Sequence, residues 1–193
     1  MKGIIFKPES VAAILSGDKT QTRRLVKHQP SEPDGWAWNL AEGKAASIML
    51  TAGPEEGLVQ WPRYRVGEMV YLKEGWRIAD RLPGYRFALV RYRNSRANVY
   101  AVPDRDWDRP ISQVAQAWRS PLHMPAWASR LRLTITGVRV ERVRKISEAG
   151  ACAEGCESVA AYARLWDQIN PTPGARWADN PLVWVYEFER AET

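Results

Sequence analysis

Three cations and two hydroxyls fall within six residues in Gly17-Asp18-Lys19-Thr20-Gln21-Thr22-Arg23-Arg24, directly after a glycine placed to end a helix. Lysine and arginine offer N–H donors and positive charge to an oxyanion, and a threonine hydroxyl offers both a donor and acceptors. These are the residue types of a compact anion or nucleotide site. They are also those of a solvated loop with a basic tail, and the segment alone leaves both readings open. Lys19 has Arg23 and Arg24 close in sequence. Positive neighbours lower an amine's pKa, which lets it accept a proton or sit close to an acyl oxygen. In an extended strand Lys19 and Thr22 point to opposite faces, so joint action by the two requires a turn at Thr20–Gln21.

The whole chain is basic: 28 lysines and arginines against 22 acidic residues give a formal charge of +6 over 193 residues. A polyanionic partner follows as an expectation. Twenty-one of the 28 are arginine, whose planar fork suits phosphate oxygens and base edges, and ten tryptophans supply stacking surfaces. Genomic base composition and core filling account for the same two counts, so composition leaves the partner open. Hydrophobic residues make up 45%, enough for a packed core. The longest apolar runs fall far short of a membrane span, and the three-residue apolar patch before Pro8 is too short for a secretory signal. The expectation is a cytoplasmic protein with no membrane partner. Cys152 and Cys156, spaced i,i+4, make no disulfide framework, and His28 and His123 lie far from them. No metal and no cofactor are expected.

The elements that must carry these groups alternate between strand and helix. A strand over 3–6 leads into a two-turn helix with Val11, Ile14 and Leu15 on its apolar stripe and Gly17 at its end. Residues 25–65 break into prolines and glycines with Trp36, Trp38 and Trp61 among them, which reads as an insertion without a core of its own. Strands over 69–73 and 85–92 flank the turn signal Leu82-Pro83-Gly84 and read as a hairpin. A loop over 93–125 carries Trp107, Pro110, Trp118, Pro121 and His123. Leu131, Leu133 and Ile135 alternate, and Gly137 shifts the parity to Val138 and Val140, a bulged, curved strand suited to a barrel. Ser147 N-caps a short helix that ends at Gly155, and a helix over 158–169 carries Val159, Tyr162, Leu165, Trp166 and Ile169 at helical spacing. The near-continuous apolar run 182–188 reads as a central strand. The fold class is α+β, a single domain over 1–193 with insertions at about 26–65 and 93–125.

Gly17-x-Lys19-x-x-x-x-Arg24 resembles the G-x-K-x-x-x-x-R signature of ASCH domains, a small β-barrel family related to PUA domains. Residues 66–77, running through Glu74-Gly75-Trp76-Arg77, resemble that family's strand and its E-x-W-R element. Residues 120–130, 146–155 and 180–185 resemble segments of its longer phage and prophage members, so that the resemblance spans nearly the whole chain, with its weak stretch at 29–62. What the resemblance implies is a PUA-like β-pseudo-barrel with short flanking helices and long loop insertions, in a superfamily that binds RNA and modified bases.

Some small bacterial ASCH proteins remove the acetyl group of N4-acetylcytidine with a lysine, a threonine three residues later and a glutamate on a later short helix. Carried over residue by residue, these fall on Lys19, Thr22 and Glu154 as catalytic residues. Other members are ribonucleases. The resemblance further implies substrate or nucleic-acid contacts from Thr20, Arg23, Arg24, Glu74, Trp76, Arg77 and Arg130, with Arg24 orienting the site or holding a phosphate because its guanidinium stays protonated. Trp76 stacks a base or fills the core; both readings stand. Glu154 adds a physical signal, since a carboxylate in the last turn of a helix faces the negative end of the dipole. An exposed helix-end residue paired with an arginine is the alternative.

Two functions are thus in view: a hydrolase acting on a modified pyrimidine nucleoside or on RNA, and a non-catalytic reader of RNA, DNA or a modified base using the same cleft. A third reading makes the Trp-rich segment 29–62 a protein-binding surface.

Overall fold

The computed structural model describes residues 1–32, 34–41, 45–82, 87–93, 98–103 and 117–191. Among the described residues the strands are β1 (Lys2–Ile5), β2 (Gln21–Leu25), β3 (Trp36–Ala41), β4 (Ala45–Leu50), β5 (Val59–Gln60), β6 (Met69–Lys73), β7 (Trp76–Leu82), β8 (Phe87–Tyr92), β9 (Asn98–Ala101), β10 (Arg132–Arg142) and β11 (Leu182–Arg190). The α-helices among the described residues are α1 (Pro8–Ser16), α2 (Glu148–Ala153) and α3 (Val159–Ile169). The chain is therefore mixed α+β, with strands in three sheets and no sheet closed into a barrel among the described residues. No described helix is long and apolar enough to cross a membrane.

The chain divides into two compact units that interleave in sequence. The first comprises Met1–Leu15, Met69–Leu133 and Arg190–Thr193. In it β1 pairs in parallel with β6, Lys2 opposite Val70 and Ile4 opposite Leu72. Pro8 stands in the first turn of α1, where its missing N–H is no loss, and Val11 and Ile14 turn inward. β7, β8 and β9 form an antiparallel sheet in which Trp76, Ile78, Ala88, Val90 and Tyr92 alternate onto one face and pack with Val102, Met124 and Ala128. This corrects the expected hairpin: the partner of 87–92 is β7, not 69–73. β7 was hidden because the alternation Trp76-Arg77-Ile78 breaks at Ala79–Asp80, where the pairing with β8 shifts register.

The second unit comprises Ser16–Glu68 and Thr134–Glu189. β11 lies between β10 and β2, and its residues 182–186 are all buried, which is why the run carries almost no polar residue. Val183 and Val185 pack with Val143, Ile146, Ala151, Tyr162 and Trp166. The α3 stripe is narrower than its spacing implied: Tyr162 and Trp166 are buried, whereas Ile169 is exposed. The segment read as an insertion without a core of its own contains β3, β4 and β5, an antiparallel sheet with Ile48 and Leu50 buried. Its glycines and prolines sit largely between short strands, so punctuation outweighed pattern in the sequence. Gln60 anchors the end of this sheet by accepting from His28 N and donating to His28 O. Within the long 93–125 segment, 98–101 is strand, and Trp107 and Pro110 lie outside the described residues.

Candidate active site

In the second unit, two caps bring the amine of Lys19 to the carboxylate of Glu154. Gly17 takes φ +90°, a left-handed conformation that turns the chain out of α1. Residues 19–20 then run extended: Lys19 and Glu154 form an isolated antiparallel bridge, Thr20 N donates to Ala153 O, and Phe188 N donates to Thr20 O. From the other side, Ser147 caps α2 by accepting from Gly150 N, and the Glu148 carboxylate accepts from Val159 N, tying α2 to α3. Glu154 is the C-cap residue of α2, and Gly155 follows at φ +79°.

Lys19 Nζ donates to Glu154 Oε2 at 2.6 Å and to Glu154 O at 2.7 Å. Arg23 Nη1 donates to the other carboxylate oxygen, Oε1, at 3.1 Å, and its Nε and Nη2 both reach Glu141 Oε1, at 2.9 and 2.7 Å. Lys19, Arg23 and Glu154 are each only 5–6% exposed. A carboxylate at the negative end of a helix is thus held by two buried cations, which resolves the dipole conflict visible in the sequence.

Burial pulls Lys19 below the ordinary lysine range; Glu154 opposes that shift, and Arg24 adds to it. The expected direction is therefore present, with burial rather than neighbouring arginines as its main cause. Burial also works against the charge of Arg23, yet Glu154 and Glu141 hold its pKa above the usual arginine value. Burial pushes the Cys156 thiol up, against Lys19.

Thr22 is buried and pairs across the sheet with Tyr186. The turn required at Thr20–Gln21 is not formed: strand alternation puts Lys19, Gln21 and Arg23 on one side and Thr22 and Arg24 on the other. Arg24 is half-buried opposite Trp184, and Thr20 is exposed. The remaining expected contacts belong to the first unit. Glu74 and Arg130 form a two-pronged buried ion pair at 2.7 and 2.8 Å, with the guanidinium 4.5 Å from the centre of the Tyr92 ring. Trp76 is in the core, edge-on to Trp127, which is the core-filling alternative and leaves no face for a base. Arg77 rests over Trp118, as does Arg93. Ser129 donates to the backbone carbonyls of Leu72 and Leu131, joining strand segments. Sequence reasoning assigned no role at the site to Glu141, Tyr162 or Cys156; nothing local in β10, α3 or the link between α2 and α3 marks them as neighbours of the Lys19–Glu154 pair. Among the described residues no cluster of histidine, cysteine, aspartate and glutamate could hold a metal.

No family model matches the sequence, and no curated protein does. Among solved structures the chain is similar to protein EF3133 from Enterococcus faecalis V583, of the family DUF984, with 12% identity and a TM-score of 0.45 over 99% of this chain and 80% of that chain. A likeness that remote carries neither a fold nor a function across.

Proposed function

We propose that this chain is a nucleoside- or nucleic-acid-binding hydrolase that cleaves an amide of the N4-acylcytosine kind. The observation that carries the reading is the 2.6 Å contact between Lys19 Nζ and Glu154 Oε2. Transfer of one proton across that contact turns an ammonium–carboxylate pair into an amine beside a carboxylic acid, a base and an acid in contact. The lowered pKa of Lys19 brings that exchange closer in energy.

The step balances. The amine takes a proton from water as its oxygen adds to the acyl carbon. Glu154 gives its proton to the departing N4 as the carbon–nitrogen bond breaks. The products are a carboxylic acid and a free amine, and the pair returns to its ionised state. Water is the nucleophile here because Thr22 lies across the strand from Lys19.

The test is incubation with N4-acetylcytidine and short acetylated oligonucleotides, followed by mass analysis. Lys19→Ala and Glu154→Gln should each lose at least about a hundredfold in rate. Undiminished cleavage by both variants overturns the proposal.

A second reading, a non-catalytic reader of RNA or a modified base, is favoured by Trp118. The residue is 40% exposed, with the Arg77 and Arg93 guanidinium groups over its ring at 5.1 and 5.3 Å from the ring centre. Two guanidinium groups over a partly exposed ring make a cationic surface suited to a phosphate backbone.

A further inference from the structure

We propose that Arg23 and Glu141 are positioning residues for the Lys19–Glu154 pair, completing a chain of alternating charge, Glu141–Arg23–Glu154–Lys19, that sets where the pair holds its proton. The catalytic consequence rests on the hydrolytic reading; the electrostatic claim stands without it.

The geometry assigns Arg23 a task that substrate binding would not allow. Its side chain is 1% exposed, and its guanidinium is engaged on both sides, by Glu141 through Nε and Nη2 and by Glu154 through Nη1. A planar fork fixed at three nitrogens cannot rotate, and the Tyr162 ring lies 5.7 Å from its Cζ. Gly150 leaves room for it, since a Cβ there would come within 3.3 Å of Nη2. Ile146 Cγ1 would be closer still, at 3.0 Å, so Ile146 and Arg23 together crowd the position of this glycine in a six-residue helix, where alanine would otherwise be favoured. Because Arg23 occupies Oε1 of Glu154, Oε2 is directed at Lys19.

Glu141 is the more solvent-accessible end of the chain, with its side chain 17% exposed, and Arg139 Nε approaches its second oxygen at 3.4 Å. The charged and titratable groups that act on Lys19 are Glu154 and Cys156, with Arg24 acting from the opposite side of the strand; those that act on Arg23 are Glu154, Glu141 and Tyr162. Neutralising Glu141 leaves the Arg23 charge undivided beside Glu154. The site becomes more positive, and Lys19 releases its proton more readily. Removing the Arg23 charge does the reverse. The two substitutions therefore move Lys19 in opposite directions, which mere loosening of the fold would not do.

The experiment is an NMR titration of the full chain carrying 13C at the lysine ε-methylene, with Lys19 assigned among the seven lysines by a Lys19→Arg variant. Glu141→Gln should shift the Lys19 titration down and Arg23→Gln should shift it up, each by about half a pH unit or more. Arg23→Lys keeps the charge and should return Lys19 to near its wild-type value. Shifts of the same sign overturn the proposal. If Arg23→Gln does not fold, Glu141→Gln decides alone, and an unmoved Lys19 overturns it. Failure to cleave acylated cytidine would remove the hydrolytic reading and leave this titration intact as a test.

Discussion

The Lys19 ammonium is shared between two acceptors of a single residue, the carboxylate and the backbone carbonyl of Glu154, at 2.6 and 2.7 Å. The carbonyl is one of those exposed at the C-terminal end of α2, so the lysine both neutralises the side chain and caps the helix. Stability and proposed chemistry thus depend on the same atoms.

Removing one partner should cost more than removing both. Lys19→Met leaves a buried carboxylate with Arg23 as its remaining cation and should destabilise the protein by about 3 kcal/mol in urea unfolding. Lys19→Met combined with Glu154→Leu should recover at least half of that loss. A double variant no more stable than the single would show that the pair is not the source of the cost.

The same logic applies in the first unit. Arg130→Met strands Glu74, which is 4% exposed, and should cost about 3–5 kcal/mol, whereas Arg130→Met with Glu74→Leu should cost clearly less. Thermal unfolding of the three proteins checks this. Additive losses would argue that the two side chains act separately.

Alkaline pH should weaken the fold through Tyr186. Burial pushes its hydroxyl up to about 12, partly offset by the backbone N–H of Arg63, which donates to it at 3.0 Å. The folded pKa lies above the unfolded value of 10.0, so this contribution is fully present below pH 10 and is lost as pH rises from 10 to 12. Two pH units correspond to about 2.7 kcal/mol. Tyr186→Phe, less stable at neutrality for want of that hydrogen bond, should lose correspondingly less between pH 10 and 12; equal losses would contradict the assignment.

Salt separates the two functional readings. If the Trp118 cluster grips a nucleic-acid backbone, affinity for a short RNA should fall steeply between about 50 and 200 mM salt. Arg93→Ala should then reduce the slope of log affinity against log salt by about one. A slope near zero, together with turnover of a free acylated nucleoside, favours the hydrolase.

Much of the local structure was legible in the sequence, because it is set by residues close together in the chain. Ser147 and Gly155 mark the ends of α2, Gly17 marks the end of α1, and the unbroken apolar run 182–188 marks a strand buried on both faces. Sequence missed β7 and the β3–β5 sheet, where a register shift or closely spaced prolines and glycines blur the alternation that a partly buried strand displays.

The amino-acid sequence by itself determined the α+β class, the caps, and the clustering of cations at 19–24. Only the tertiary structure decided which carboxylates those cations meet. Lys19 and Glu154 are 135 residues apart, and Arg23 and Glu141 are 118 apart. No propensity or spacing rule reaches across such separations. Strand pairing and burial make the choice: the β2–β11 register, the α2 cap and the bridge at Lys19 bring opposite charges together out of water, where an unpaired charge would be too costly to keep.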